Sequence, residues 1–90
     1  MEFEWSDLKN TENIRKHKIS FYEAQEVFLD ENRIILYDTK HSTVEDRYFC
    51  IGKTTKGVIV TVRFTKRNGS NRIIGAGYWR KGRKLYEKNN

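Results

Sequence analysis

Ninety residues make one domain, residues 1–90, with a real but small core. At 37% hydrophobic and 33% charged the chain is too apolar for a disordered tail, and no stretch nears the roughly 20 apolar residues that span a bilayer. The net charge of +6 is uneven: residues 1–50 hold 7 Lys/Arg against 11 Asp/Glu (−4), and residues 51–90 hold 11 Lys/Arg against Glu87 alone (+10).

Taken in chain order, the acidic start Met1-Glu2-Phe3-Glu4 reverses the basic-then-apolar order of a signal peptide. Ser6 is placed to cap a first helix running to about His17, with Trp5, Lys9, Asn13 and Lys16 or His17 recurring along one side. Its apolar content is modest, so this helix belongs at the surface. Ser20 and Glu23 form the S-x-x-E box that opens a second helix, and Phe21, Ala24, Val27 and Phe28 make its apolar stripe. The period then changes near Asp30–Asn32.

Strands follow at Arg33–Tyr37 and Tyr48–Gly52. Val58, Val60, Val62 and Phe64 alternate with Ile59, Thr61, Arg63 and Thr65, the pattern of a half-buried strand. Asn68-Gly69 tolerates the positive φ of a type I′ turn, and Arg72–Tyr78 returns as the partner strand. A short helix is expected within Trp79–Lys88, weakened by Gly82. The fold class is therefore α+β: two N-terminal helices on an antiparallel sheet of about four strands, with a short C-terminal helix and one sheet face open. The two-residue turn sets Thr65 opposite Arg72 and Arg63 opposite Ile74. Arg63 and Arg72 then share the open face as diagonal neighbours about 7–8 Å apart, a spacing that calls for an anion between them.

Basic residues concentrated in one half are the electrostatic footprint of a nucleic-acid or acidic-protein partner. The run Tyr78-Trp79-Arg80-Lys81-Gly82-Arg83-Lys84-Leu85-Tyr86 interleaves cations for phosphates with aromatic rings on which unpaired bases stack, a composition suited to single-stranded RNA. The same run also reads as a tail whose Trp79, Leu85 and Tyr86 pack on the sheet while the cations stay solvated. Metal-free RNA cleavage needs a base for the 2′-hydroxyl, cations for the charge on phosphorus and an acid for the leaving oxygen. Arg and Lys serve the second need; His17, His41, a tyrosine or a carboxylate must serve the others. His17 ends the first helix, where a cation also complements the helix dipole, and His41 reads as a solvated residue of the loop Thr39–Thr43. No His, Asp or Glu spacing resembles a metal site. Cys50, alone, excludes a disulfide framework and a cysteine zinc site and suits a reducing cytoplasm. Both candidate helices lie in the acidic half, so no basic recognition helix of a helix-turn-helix is present.

Trp5-x3-Lys9-x3-Asn13-x2-Lys16-His17-x-Ile19-Ser20-Phe21-x2-Ala24 resembles the opening signature of the BrnT toxin family. The match continues through Glu45-x-Arg47-Tyr48-x2-Ile51-Gly52, Thr65-x-Arg67, Arg72-Ile73-Ile74-x-Ala76 and Arg83-x2-Tyr86. The resemblance implies a RelE-like ribonuclease fold and a type II toxin that cuts RNA to block translation without cofactor or metal. It also implies a BrnA-like antitoxin with a ribbon-helix-helix domain, and operator DNA reached only through that complex. It points to Arg67, Arg72, His17 and Lys9 as catalytic and to Arg63, Trp79, Arg80, Arg83 and Tyr86 as RNA contacts. Three departures stand out. Lys18 replaces a frequent glycine after Lys-His, Gly77 stands where many members carry arginine, and Gly82 where they often carry glutamate. These imply a site rearranged about Tyr78-Trp79-Arg80, or a member that binds antitoxin or RNA without cutting.

Overall fold

The chain, described over residues 1–90 in a computed structural model, begins with a two-residue strand, β1 (Phe3–Glu4), and a helix, α1 (Asp7–His17). The Ser6 hydroxyl accepts the Lys9 N–H at 3.3 Å, and Asp7 and Arg15-Lys16-His17 complement the two ends of the dipole. Lys18 ends the helix in the left-handed region (φ 62°, ψ 28°), its N–H on the Ile14 carbonyl at 3.0 Å. Only Asn13 of α1 is buried. Its Nδ2 donates to the carbonyls of Ile19 (2.9 Å) and Ala76 (3.0 Å), and its Oδ1 accepts the Ala76 N–H (3.2 Å). Asn10 likewise accepts the Phe21 N–H at 2.8 Å. A nearly all-polar helix is thus held by two asparagines rather than by an apolar stripe.

The second helix is shorter than expected: α2 (Phe21–Ala24) passes into a 3-10 segment, Gln25–Leu29. Ser20 caps it by accepting the Glu23 N–H at 3.0 Å, while the Glu23 carboxylate reaches the Ser20 hydroxyl rather than its backbone. Phe21, Ala24, Val27 and Phe28 are all buried, as the stripe requires.

The sheet contains β2 (Ile34–Tyr37), β3 (Arg47–Lys53), β4 (Ile59–Arg67) and β5 (Ser70–Gly77) in the order β1-β5-β4-β3-β2. It is therefore five-stranded and mixed, because β1 lies parallel to β5 while the other pairs are antiparallel. Two residues carry no periodicity, so β1 left no trace in the pattern. Asn68 (φ 49°) and Gly69 (φ 82°) form the expected turn, and Thr65 pairs with Arg72. Arg63, however, pairs with Gly75 and not with Ile74, because a bulge intervenes at Arg63/Phe64. Ile73 and Ala76 both face the core, and strict alternation cannot put residues three apart on one face; the extra residue makes it possible.

The core joins Cys50, Val60, Val62, Phe64, Ile73 and Ala76 to Ile19, Phe21, Ala24, Val27 and Phe28. Burial pushes the Cys50 thiol up to about 12, so it is inert. The other sheet face is half covered by α3 (Arg80–Asn89). Gly82, expected to weaken this helix, is its contact point: a Cβ there would collide with the Thr61 hydroxyl and lie 3.3 Å from the Thr61 Cβ. Tyr86 fastens the next turn, its hydroxyl donating to Asp30 Oδ2 at 2.6 Å.

Candidate nucleic-acid interface

Alternation along β4 puts Thr61, Arg63, Thr65 and Arg67 on the face that α3 only half covers. Thr65 pairs with Arg72 on one side and Arg47 on the other, and Arg63 lies two residues along the same strand. Arg47, Arg63 and Arg72 therefore surround one buried threonine, with Arg67 beyond it. Two carboxylates answer these four guanidinium groups. Glu45 lies 3.1 Å from Arg67 and 3.6 Å from Arg47, and Glu4 lies 3.6 Å from Arg72. Arg63 has no carboxylate within salt-bridge distance, and the Nε atoms of Arg63 and Arg47 are buried without a partner.

Of the recesses that border this field, two are lined mainly by polar residues. One, of about 240 Å³, is lined by Lys9, Glu12, Asn13, Lys16 and His17 of α1 together with Arg63 and Trp79. His17 meets Trp79 edge to face, ring centroids 5.3 Å apart. The indole lies where a side chain on residue 77 would go, since a Cβ on Gly77 would come within 2.9 Å of it. The second recess, of about 460 Å³, is lined by Lys40, His41, Thr43, Val44, Glu45, Arg47 and Arg67. His41 is exposed in its loop, as expected, but oriented there: its Nδ1 lies 2.9 Å from Oδ2 of the buried Asp38.

Of the residues singled out from the sequence, Lys9, His17, Arg63 and Trp79 come together at the first recess. Arg67 lies in the second, and Arg72 sits at the β1 edge against Glu4. Arg80 and Arg83 are exposed along α3. Tyr86 does not belong with them. It is buried, 4% exposed, and its hydroxyl is engaged by Asp30, so its ring offers no surface for a base. Helical periodicity is the reason: a turn that presents Arg80 and Arg83 to solvent turns Tyr86 inward. Burial opposes the charged form of Asp30, but hydrogen bonds from Tyr86 and the backbone N–H groups of Lys53 and Asn32 outweigh it and hold the carboxyl below its usual value. The same bond, with burial, raises the Tyr86 phenol to about 12.

Sequence reasoning missed Arg47, Glu45 and the Asp38–His41 pair as parts of one face. The i, i+3 spacing of Asp38 and His41 was the available signal, since an Asp side chain readily closes such a turn. Across the whole chain, no three His, Cys, Asp or Glu side chains group closely enough to hold a metal ion, and no helix is long and apolar enough to cross a membrane.

A family model described as the ribonuclease toxin BrnT of type II toxin–antitoxin systems matches residues 5–82. Among solved structures, the chain is similar to the 1.1 Å crystal structure of the Brucella abortus ribonuclease toxin BrnT. The TM-score is 0.68 at 21% identity, over 88% of this chain and 96% of the other. No match was found among curated protein sequences.

Proposed function

The chain belongs to the BrnT family of ribonuclease toxins of type II toxin–antitoxin systems, and we propose that it cleaves RNA on the arginine-bearing face of its sheet, without a resident metal ion, and thereby blocks translation. The observation that carries this reading is the charge imbalance of that face: Arg47, Arg63, Arg67 and Arg72 against Glu4 and Glu45, with Arg63 unpaired. Four guanidinium groups against two carboxylates leave a net positive charge on this face that favours a further anion. A phosphodiester is such an anion, and the charge it gains on the way to cleavage is what fixed guanidinium groups stabilise. They supply the charge neutralisation that a metal ion provides in other ribonucleases.

Trp79, 38% exposed, offers an indole for a neighbouring base, and Arg80 and Arg83 extend the cationic track along α3. A BrnA-like antitoxin with a ribbon-helix-helix domain is the proposed partner, with operator DNA bound only through that complex. An acidic antitoxin segment laid over the same arginines would exclude RNA by occupying its charge sites, which makes the complex sensitive to salt.

The test maps RNA 5′ ends in cells after a brief pulse of the chain without antitoxin, beside Arg63→Ala. New ends are expected with wild type and should fall at least about 10-fold in the soluble variant. Growth arrest with no new ends would refute cleavage. Ends formed equally by the variant would remove Arg63 from the site.

A further inference from the structure

His41 is the one imidazole in the protein that another side chain orients. Its Nδ1 lies 2.9 Å and 3.2 Å from the two carboxylate oxygens of Asp38, which is itself only 4% exposed. A carboxylate only accepts, so Nδ1 carries the proton and the lone pair of the neutral ring sits on Nε2. No protein group occupies Nε2. The loop that carries the pair is tied down. The His41 N–H reaches Asp38 Oδ1 at 3.3 Å, and the Ser42 hydroxyl donates to the Asp38 carbonyl at 2.6 Å. The same hydroxyl accepts the Arg47 N–H at 2.9 Å, and the Asp38 N–H donates to the Arg47 carbonyl at 2.8 Å. These bonds fix the imidazole at the start of β3, on the rim of the recess that also holds Arg47 and Arg67. His17, by contrast, has no carboxylate partner and packs its ring against Trp79.

We propose that His41 is the general base of this face and Asp38 its positioning residue. The assignment rests on the ribonuclease reading above. RNA lying over Arg47 and Arg67 presents a phosphodiester beside the recess. His41 Nε2 takes the proton of the adjacent 2′-hydroxyl, and O2′ bonds to phosphorus. The P–O5′ bond breaks, and O5′ takes a proton from solvent. The products are a 2′,3′-cyclic phosphate and a 5′-hydroxyl, and the imidazolium returns its proton to solvent, so the step needs no oxidant, reductant or further co-reactant. Asp38 holds the ring in the tautomer that leaves Nε2 free and balances the positive charge that forms on it. The charged groups around the ring are Asp38 and Lys40 of its own loop, Glu45 between loop and strand, Arg47 of β3 and Arg67 of β4.

The experiment uses the purified full-length chain and an oligoribonucleotide with an ordinary 5′-oxygen leaving group, or one with sulfur at that position. His41→Ala should lower kcat at least about 100-fold with KM little changed, and free imidazole should restore part of it. His41→Gln, which keeps an amide for Asp38 while removing the base, serves as the folded second variant and should lose as much. Asp38→Asn should lower kcat about 10-fold or more, again without raising KM. Because a base acts on the nucleophile, the His41→Ala defect should persist with the sulfur leaving group. Wild-type cleavage with kcat unchanged in both His41 variants would overturn the assignment, and so would a defect that imidazole leaves untouched or that vanishes with the sulfur substrate. Absence of cleavage by the wild type would overturn the ribonuclease reading itself.

Discussion

Asn13 joins α1 to the sheet through its side-chain amide, and replacing it by aspartate separates hydrogen bonding from packing. The substitution keeps the shape and the oxygen that accepts the Ala76 N–H, but removes the donors to the Ile19 and Ala76 carbonyls at 2.9 Å and 3.0 Å. Each lost bond is worth about 1 kcal/mol net, and each buried carbonyl left unpaired adds about 1 kcal/mol or more. An oxygen now faces two others. The expected loss in Asn13→Asp is about 3–5 kcal/mol at pH 7, a large part of what a domain of this size has. The introduced acid is favoured in its protonated form in the folded state, because that form donates to one of the two carbonyls. Its pKa is therefore raised on folding, and the deficit should shrink by about 1 kcal/mol as pH falls from 7 to about 4.5. Urea melts of variant and wild type at the two pH values measure both quantities. A deficit under about 1 kcal/mol, or one that does not shrink on acidification, would refute the account of α1 as a helix held by its asparagines.

Two further expectations follow from the backbone and from α3. Lys18 adopts a left-handed conformation that favours glycine, and its Nζ gives back only an exposed bond to the Arg15 carbonyl at 3.0 Å. Lys18→Gly should therefore stabilise the protein by about 0.5–1 kcal/mol, read as a rise in the denaturant midpoint at constant slope. Tyr86→Phe removes the hydroxyl that donates to Asp30 and should cost about 1.5–3 kcal/mol at pH 7. The Asp30 pKa is lowered on folding, so its contribution is complete above the unfolded value near 3.9 and is lost as pH falls through the lower folded value. The gap between wild type and Tyr86→Phe should narrow below about pH 4; melts at pH 7 and pH 3 check it.

Much of the fold was legible because its signals are local. The Ser20 cap, the Phe21–Phe28 stripe, the alternation along β4 and the Asn68-Gly69 turn each depend on residues within one or two turns of one another, and each stands in the structure. What escaped the sequence depends on distant partners. The strand β1 exists because β5 offers an edge. The bulge answers the need to bury both Ile73 and Ala76. Gly82 reads as a helix breaker until Thr61 is seen beneath it. The site divides the same way. Arg63 was placed on the correct face by alternation, whereas Arg47 reaches that face only through the pairing of β3 with β4, which no spacing announces. His41 is exposed, as a loop residue was expected to be, but the buried Asp38 that orients it looks in the sequence like one more polar residue of a loop.

Gly77 and Gly82, at which the sequence departs from what the resemblance leads one to expect, each lie in a close packing contact. With α3 pressed onto Thr61, residue 82 has no room for a side chain, and a Cβ on residue 77 would meet the Trp79 indole at 2.9 Å. A helix docked this closely leaves no room for a glutamate at position 82, and an arginine at position 77 would have to displace the Trp79 ring. What the chain carries is a row of guanidinium groups on strands, where the sheet fixes their spacing, and an imidazole held by a carboxylate at the far rim. Groups carried on strands are positioned more precisely than groups on loops, so the row of guanidinium groups is a preorganised site for negative charge. On the proposed reading, proton transfer lies at the loop end of the face, with His41, and needs no side chain at residue 77 or 82.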